Sequence, residues 1–169
     1  MDQLTEILGR VSGAGVEFSL IGGLAAIHHG VTYTTRDVDI CARFTPENLR
    51  RIERAVQDLH PFHRLAANRL PLELNDRLCA ELKNLYLQTD LGKLDCLSVV
   101  AGIGDFEATL QASELVTFPF GRCYVLTLPA LIQAKEAVGR PHDLNTVKQL
   151  RAIQARGENS GPKQQILPL

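Results

Sequence analysis

The sequence has no paired cysteine motif. Its four cysteines, Cys41, Cys79, Cys96 and Cys123, are scattered without a CxxC pair, and three of them stand in apolar, strand-like runs. This argues against a zinc site built on them and predicts buried free thiols. There is no excess of charge either: 18 basic against 19 acidic residues give a formal net charge of -1. A protein coated in basic residues is excluded, although a local basic cluster is not. The chain lacks an apolar run of transmembrane length and a signal peptide, so it is expected to have no membrane partner and to stay in the cytoplasm. No internal repeat is visible. What remains is 169 residues with 45% hydrophobic and 22% charged side chains. That composition suits one α/β domain over residues 1–156, with 127–156 as a C-terminal helical segment and 157–169 as a flexible tail.

Periodicity places the elements. Leu4, Ile7, Leu8 and Val11 have helical spacing, and Gly13 and Gly15 end that helix. Val16 to Ile21 is a short apolar strand. Gly22 and Gly23 open a helix over 24–29, and Gly30 closes it. Asp37 to Ala42 is a second strand, with Val38 and Ile40 on one face and Asp37, Asp39 and Cys41 on the other. Thr45-Pro46 starts a helix that runs to about Leu59. The stretch 61–75 carries no clear signal beyond an irregular strand over 69–74. Residues 82–88 and 93–100 form a predicted hairpin about the turn Thr89-Asp90-Leu91-Gly92. A short helix covers 105–111, and a second small hairpin covers 114–126. Thr127-Leu128-Pro129 starts a helix through Val138. Arg140-Pro141 breaks it, and a last helix covers 143–155. The expectation is a small mixed twisted sheet with helices packed on it.

The chemistry concentrates in Phe18 to Ala42. Asp37 and Asp39 stand two apart on a strand, so both side chains leave one face. Paired carboxylates can hold Mg2+, which takes oxygen ligands from one or two carboxylates, substrate phosphates and water. Asp95 interrupts an otherwise apolar strand, which is costly unless its charge is partnered or used. As a third ligand it would complete a two-ion site. Gly22 and Gly23 clear side chains from a helix start whose free N–H groups favour phosphate. Arg36 precedes the first carboxylate and either steers a triphosphate or pairs with a surface acid. For His28 and His29 the reading is packing or helix-end hydrogen bonding. Arg50, Arg51 and Arg54 form either plain surface or a patch for an RNA acceptor.

The order glycine pair, helix, Arg36-Asp37-Val38-Asp39-Ile40, then a later Asp95 resembles the nucleotidyltransferase superfamily with a DNA polymerase beta-like palm. The segment Leu128 to Leu144, with Lys135, Arg140 and Asp143, resembles the ending of a small bacterial branch related to AbiE-type abortive-infection toxins. The resemblance spans roughly residues 16–150. It implies transfer of a nucleoside monophosphate from an NTP such as ATP to an acceptor: an RNA or tRNA end, a protein hydroxyl or a small molecule. It further implies that Asp37, Asp39 and Asp95 bind two magnesium ions and that Asp95 helps activate the acceptor. Gly22, Gly23, Arg36, Lys135 and Arg140 would bind the nucleotide, with Asp143 orienting one of the cations. A toxin–antitoxin component with a cognate antitoxin as partner is the implied biological setting. The alternatives are a catalytically silent nucleotide-binding or antitoxin-like module, and an α/β domain with a chance DxD pair.

Overall fold

The computed structural model describes residues 2–158; Gly157 and Glu158, expected in the flexible tail, end the last helix, and the rest of that tail lies outside the described residues. Helix α1 (Gln3–Gly13) begins where the Asp2 carboxylate accepts the Thr5 N–H at 2.8 Å, and it buries Ile7, Leu8 and Val11. Strand β1 (Phe18–Leu20) follows, then α2 (Gly22–His28) and β2 (Asp37–Ala42). Helix α3 (Pro46–Val56) has the predicted Thr45 cap and Pro start, and continues as a single 3-10 turn over 57–59. Its Asn48 is buried and ties the helix to the sheet: the side chain accepts from Glu17 N–H and donates to the carbonyls of Glu17 and Arg43.

Between α3 and the predicted hairpin the sequence was weakly legible. Short strands β3 (Phe62–His63) and β4 (Leu70–Pro71) lie in the weakly patterned stretch, and helix α4 (Asp76–Glu81) follows it. Only β4 falls within the predicted irregular strand. Two-residue strands are too short for alternation to register. The predicted hairpin is β5 (Asn84–Thr89) with β6 (Gly92–Leu97), paired from Thr89 opposite Gly92 to Asn84 opposite Leu97. Gly92 turns at φ 143°, a conformation that glycine supplies. Strand β6 stops earlier than predicted. Val99 and Val100 form β7 (Val99–Val100), which pairs instead with β8 (Gly104–Asp105). Helix α5 (Phe106–Gln111), strands β9 (Ser113–Phe118) and β10 (Gly121–Leu126), helix α6 (Leu128–Val138) and helix α7 (Pro141–Glu158) complete the chain. Gly139, at φ 68°, caps α6 and donates to the Lys135 carbonyl at 2.9 Å. Pro141 is the first residue of α7 rather than a gap before it, since its fixed φ suits a helix start.

The eight-stranded sheet runs β4-β3-β5-β6-β2-β1-β10-β9. Most neighbours are antiparallel; β2 with β6 and β1 with β10 are parallel. This is the expected mixed α/β class. One continuous apolar core extends from Ile7 and Val11 of α1 through Leu20, Ile40 and Leu94 of the sheet to Leu131 of α6 and Leu150 of α7. All four cysteines are free and buried, as the scattered spacing implied. Among the described residues no helix is long and apolar enough to cross a membrane.

Candidate active site

The site grows from the sheet centre. Strands β2 and β6 run parallel with Asp39 directly opposite Asp95 and Asp37 opposite Lys93. The two-residue period therefore puts all three aspartates on one face. Their carboxylates converge, one oxygen of each lying within 4.8 Å of the others. Further along β2 the same face closes where α5 brings Thr109 against the Cys41 thiol. At the carboxylate end Asp37 and Asp39 are half-buried and Asp95 is buried.

Glycine matters at the next step. Gly22 turns at φ 63°, and a Cβ there would stand 2.1 Å from Asp39 Oδ2. The start of α2 can lie against Asp39 only because no side chain intervenes. Gly23 donates its N–H to Asp39 Oδ2 at 3.4 Å. A Cβ on Gly23 would meet Thr35 Oγ1 at 2.6 Å and Tyr33 Oη at 3.0 Å. The space cleared by both glycines is thus filled by the protein's own polar groups, not by an open phosphate cradle.

Electrostatics follow from the crowding. Burial, with the charges of Asp37 and Asp95 behind it, pushes the Asp39 carboxyl up to about 6; the Gly23 N–H and the Lys135 ammonium resist. Asp37 accepts from Thr35 Oγ1 at 2.7 Å. Asp95 is 8% exposed, and burial raises its pKa against the pull of Arg64. Arg64 forks onto it: Nε donates to Oδ1 at 3.2 Å and Nη2 to Oδ2. The guanidinium also lies over the ring of Tyr86, the residue opposite Asp95 on β5. Burial and the charges of Asp39, Asp37 and Asp143 push the Tyr33 phenol up to about 12, so its proton stays on.

The C-terminal helices supply the other wall. Lys135 is buried, and its Nζ donates to Asp143 Oδ1 at 3.2 Å. Arg140 Nε donates to Asp143 Oδ2 at 2.8 Å while most of its side chain stays exposed. Burial pushes the Asp143 carboxyl up, but the hydrogen bonds from Arg140 and Lys135 overcome it and hold the group below the usual range. Asp143 therefore binds both cations, where the resemblance implied one. Lys135 stands within electrostatic reach of Asp39.

Arg36 is exposed and makes no ion pair among the described residues. Arg50 and Arg51 pair with Asp76 and Glu47. A cleft of about 570 Å³ is lined by His60, Phe62, Arg69 and Asp90 among others and contains none of the three carboxylates. Chemistry, rather than volume, marks this site.

Sequence reasoning missed Arg64, Tyr33 and Thr35. Arg64 lies 31 positions from Asp95 in the unpatterned stretch, so nothing local announces it. Thr35 had a signal, its place in the turn entering β2, but with Thr34 it reads as a turn-former; Tyr33 carries no signal of its own.

Three oxygen donors that repel one another fit a hard divalent cation in chemistry and charge. No protein-family model matches the chain, and neither does any curated protein sequence. Solved structures do resemble it. A lincosamide antibiotic adenylyltransferase, LnuA, in its lincomycin-bound form, shares 14% identity at a TM-score of 0.61, covering 89% of this chain and 96% of that one. The antibiotic-resistance factor ANT(2'')-Ia shares 17% at a TM-score of 0.54, covering 93% and 84%. A candidate nucleotidyltransferase from Thermotoga maritima shares 18% at a TM-score of 0.53, covering 91% of each chain. At such identities the likeness is one of fold, and the fold is nucleotidyltransferase-like.

Proposed function

We propose that this chain is a magnesium-dependent nucleotidyltransferase that moves a nucleoside monophosphate from an NTP to an acceptor hydroxyl. The observation that carries the reading is the meeting of Asp37, Asp39 and Asp95 on adjacent strands beside the positive-φ Gly22. The solved structures with the same fold support it, since they include adenylyltransferases.

Asp37 and Asp39 would hold the cation, and Asp95 would join them from β6. Bound there, the cation supplies charge neutralisation for the triphosphate and lowers the pKa of an acceptor hydroxyl. The chain's own groups do the rest. Lys135 places an ammonium within electrostatic reach of Asp39, where it would offset triphosphate charge. Arg140 is held at Nε by Asp143, leaving its outer nitrogens for phosphate oxygens. Arg36 adds an exposed cation at the head of β2. Gly22 and Gly23 let the start of α2 lie against Asp39, which fixes where that carboxylate would meet the cation. Asp95, once Arg64 releases it, would stand on β6 to help take the acceptor's proton. The acceptor oxygen would attack the α-phosphorus while pyrophosphate leaves.

The acceptor class to test first is a small hydroxylated molecule, because LnuA carries lincomycin and ANT(2'')-Ia is seen with an adenylylated tobramycin. An RNA or tRNA end and a protein hydroxyl form the remaining arms, together with a toxin role opposed by an antitoxin. The experiment is incubation of the chain with each labelled NTP, Mg2+ and, in turn, hydroxylated small molecules, total RNA and protein extract, beside an Asp39→Asn control. Label should pass to one acceptor class and be absent from the control. Mg-dependent NTP binding without transfer would identify the silent module instead. Absence of both would overturn the reading.

A further inference from the structure

Three other metal-ligating side chains meet at the far end of α2. His28 closes the helix, His29 follows it, and Glu114 stands on the edge strand β9. One donor atom from each lies within 4.8 Å of the other two. We propose that His28, His29 and Glu114 form a separate metal centre for a borderline first-row cation such as Zn2+, distinct in chemistry from the all-oxygen cluster at Asp37.

The fold sets this up. Glu114, Val116 and Phe118 share one face of β9 by the two-residue period. The His28 ring lies 5.6 Å from the Phe118 ring and 5.1 Å from the His29 ring. Neighbouring histidines are thereby held over the strand that carries the carboxylate.

Hydrogen bonding orients the His29 ring and leaves the His28 ring short of a partner. His29 Nε2 is 2.8 Å from the Leu126 carbonyl oxygen. A carbonyl only accepts, so Nε2 carries the proton and Nδ1 keeps the lone pair. Metal-binding histidines are oriented in this way by donating the other ring N–H to a carbonyl or carboxylate. His28 offers an independent sign, since its Nδ1 is buried with no hydrogen-bond partner among the described residues. Such an orphan calls for an explanation, and an ion in contact with the ring is one.

Two imidazoles and one carboxylate leave a fourth tetrahedral position for water, a donor set suited to Zn2+. Mg2+ prefers oxygen ligands in near-octahedral geometry. The two clusters therefore select different ions. Access is open, because Glu114 is exposed and both histidines are partly so. A cation here would pin the C-terminal end of α2 to β9, while the other end of that helix carries Gly22 and Gly23.

The test uses the full chain, stripped with chelator, in an Asp37→Asn, Asp39→Asn background that silences the oxygen cluster. Zn2+ is titrated against a chromophoric chelator, and Co2+ is followed by its visible spectrum. The expected result is one equivalent of Zn2+, a tetrahedral Co2+ spectrum, and no displacement by excess Mg2+. Glu114→Gln and His28→Gln should each weaken Zn2+ at least tenfold. Glu114 is exposed, so its variant decides the matter even if the histidine variant fails to fold. No stoichiometric Zn2+ in the background protein, or a Glu114→Gln titration that superimposes on its parent, would overturn the proposal. Neither outcome bears on nucleotidyl transfer.

Discussion

At the scale of single residues, Asp39 carries the sharpest expectation. Its folded pKa, about 6, stands above the ordinary value of 3.8, with burial as the main cause. A raised carboxyl pKa means that the folded protein prefers the protonated form. The stabilising contribution is therefore full below the unfolded pKa and is lost as pH rises through about 6. Metal-free protein should gain stability as pH falls from 7 toward 4 at this site, by about 1–3 kcal/mol at the scale of 1.36 kcal/mol per pKa unit. Mg2+ affinity should fall over the same range as the ligand protonates. Asp39→Asn should flatten the Asp39 part of the stability profile, raise metal-free stability at pH 7 and abolish transfer. Thermal melts from pH 4 to 8, with and without Mg2+, check all of this; a variant that melts far below its parent at pH 7 would make Asp39 structural. Arg64 gives a second test. Its fork neutralises Asp95 and competes with a cation there. Arg64→Ala should tighten Mg2+ binding about tenfold by calorimetry and cost about 1–3 kcal/mol without metal, because it leaves a buried carboxylate unpaired. Weaker Mg2+ binding in the variant would make Arg64 a support of the site rather than its competitor.

At the scale of elements, the joint between α6 and α7 behaves as one unit. Asp143, 2% exposed, receives Lys135 from one helix and Arg140 from the joint itself. Asp143→Ala would leave the Lys135 ammonium buried without its partner. The expected cost is about 3 kcal/mol, as for breaking a buried pair from one side, with NTP affinity falling as Lys135 turns away. Urea titration and nucleotide binding measure the two effects; unchanged stability would show that water replaces the carboxylate. The same joint shows what sequence could carry. Arg140-Pro141 announced it as a helix break, and the spacing of Asp37 and Asp39 announced a shared face. The alignment of Asp39 with Asp95 is a sheet register, and register between distant strands is set by packing, which no local pattern encodes. Arg64 was hidden for the same reason. It reaches Asp95 only because β3 adds to β5, and β3 is too short to see. The glycine pair was read correctly as cleared space, but the occupant proved to be Asp39, Thr35 and Tyr33.

At the scale of the whole molecule, one core decides how the chain comes apart. Leu150 of α7 is fully buried in the same apolar cluster as Ile7 of α1 and Ile40 of β2. A C-terminal helical segment that shares the core should not unfold by itself. The sequence has no tryptophan but has four buried thiols. Cys41, Cys96 and Cys123 mark β2, β6 and β10, and Cys79 marks α4, so thiol labelling reports the sheet and the α4 side while circular dichroism weights the helices. Urea unfolding should show one transition, coincident by both probes. Leu150→Ala should move both midpoints together, at a cost of about 2–5 kcal/mol for a large-to-small change in the core. If helical signal is lost first while the thiols stay protected, α6 and α7 form a separate unit. The wall carrying Lys135 could then detach from the carboxylates without unfolding the sheet. Coincident transitions instead mean that Lys135 and Asp39 are held together at the full folding free energy, so the charged wall is in place before any triphosphate arrives.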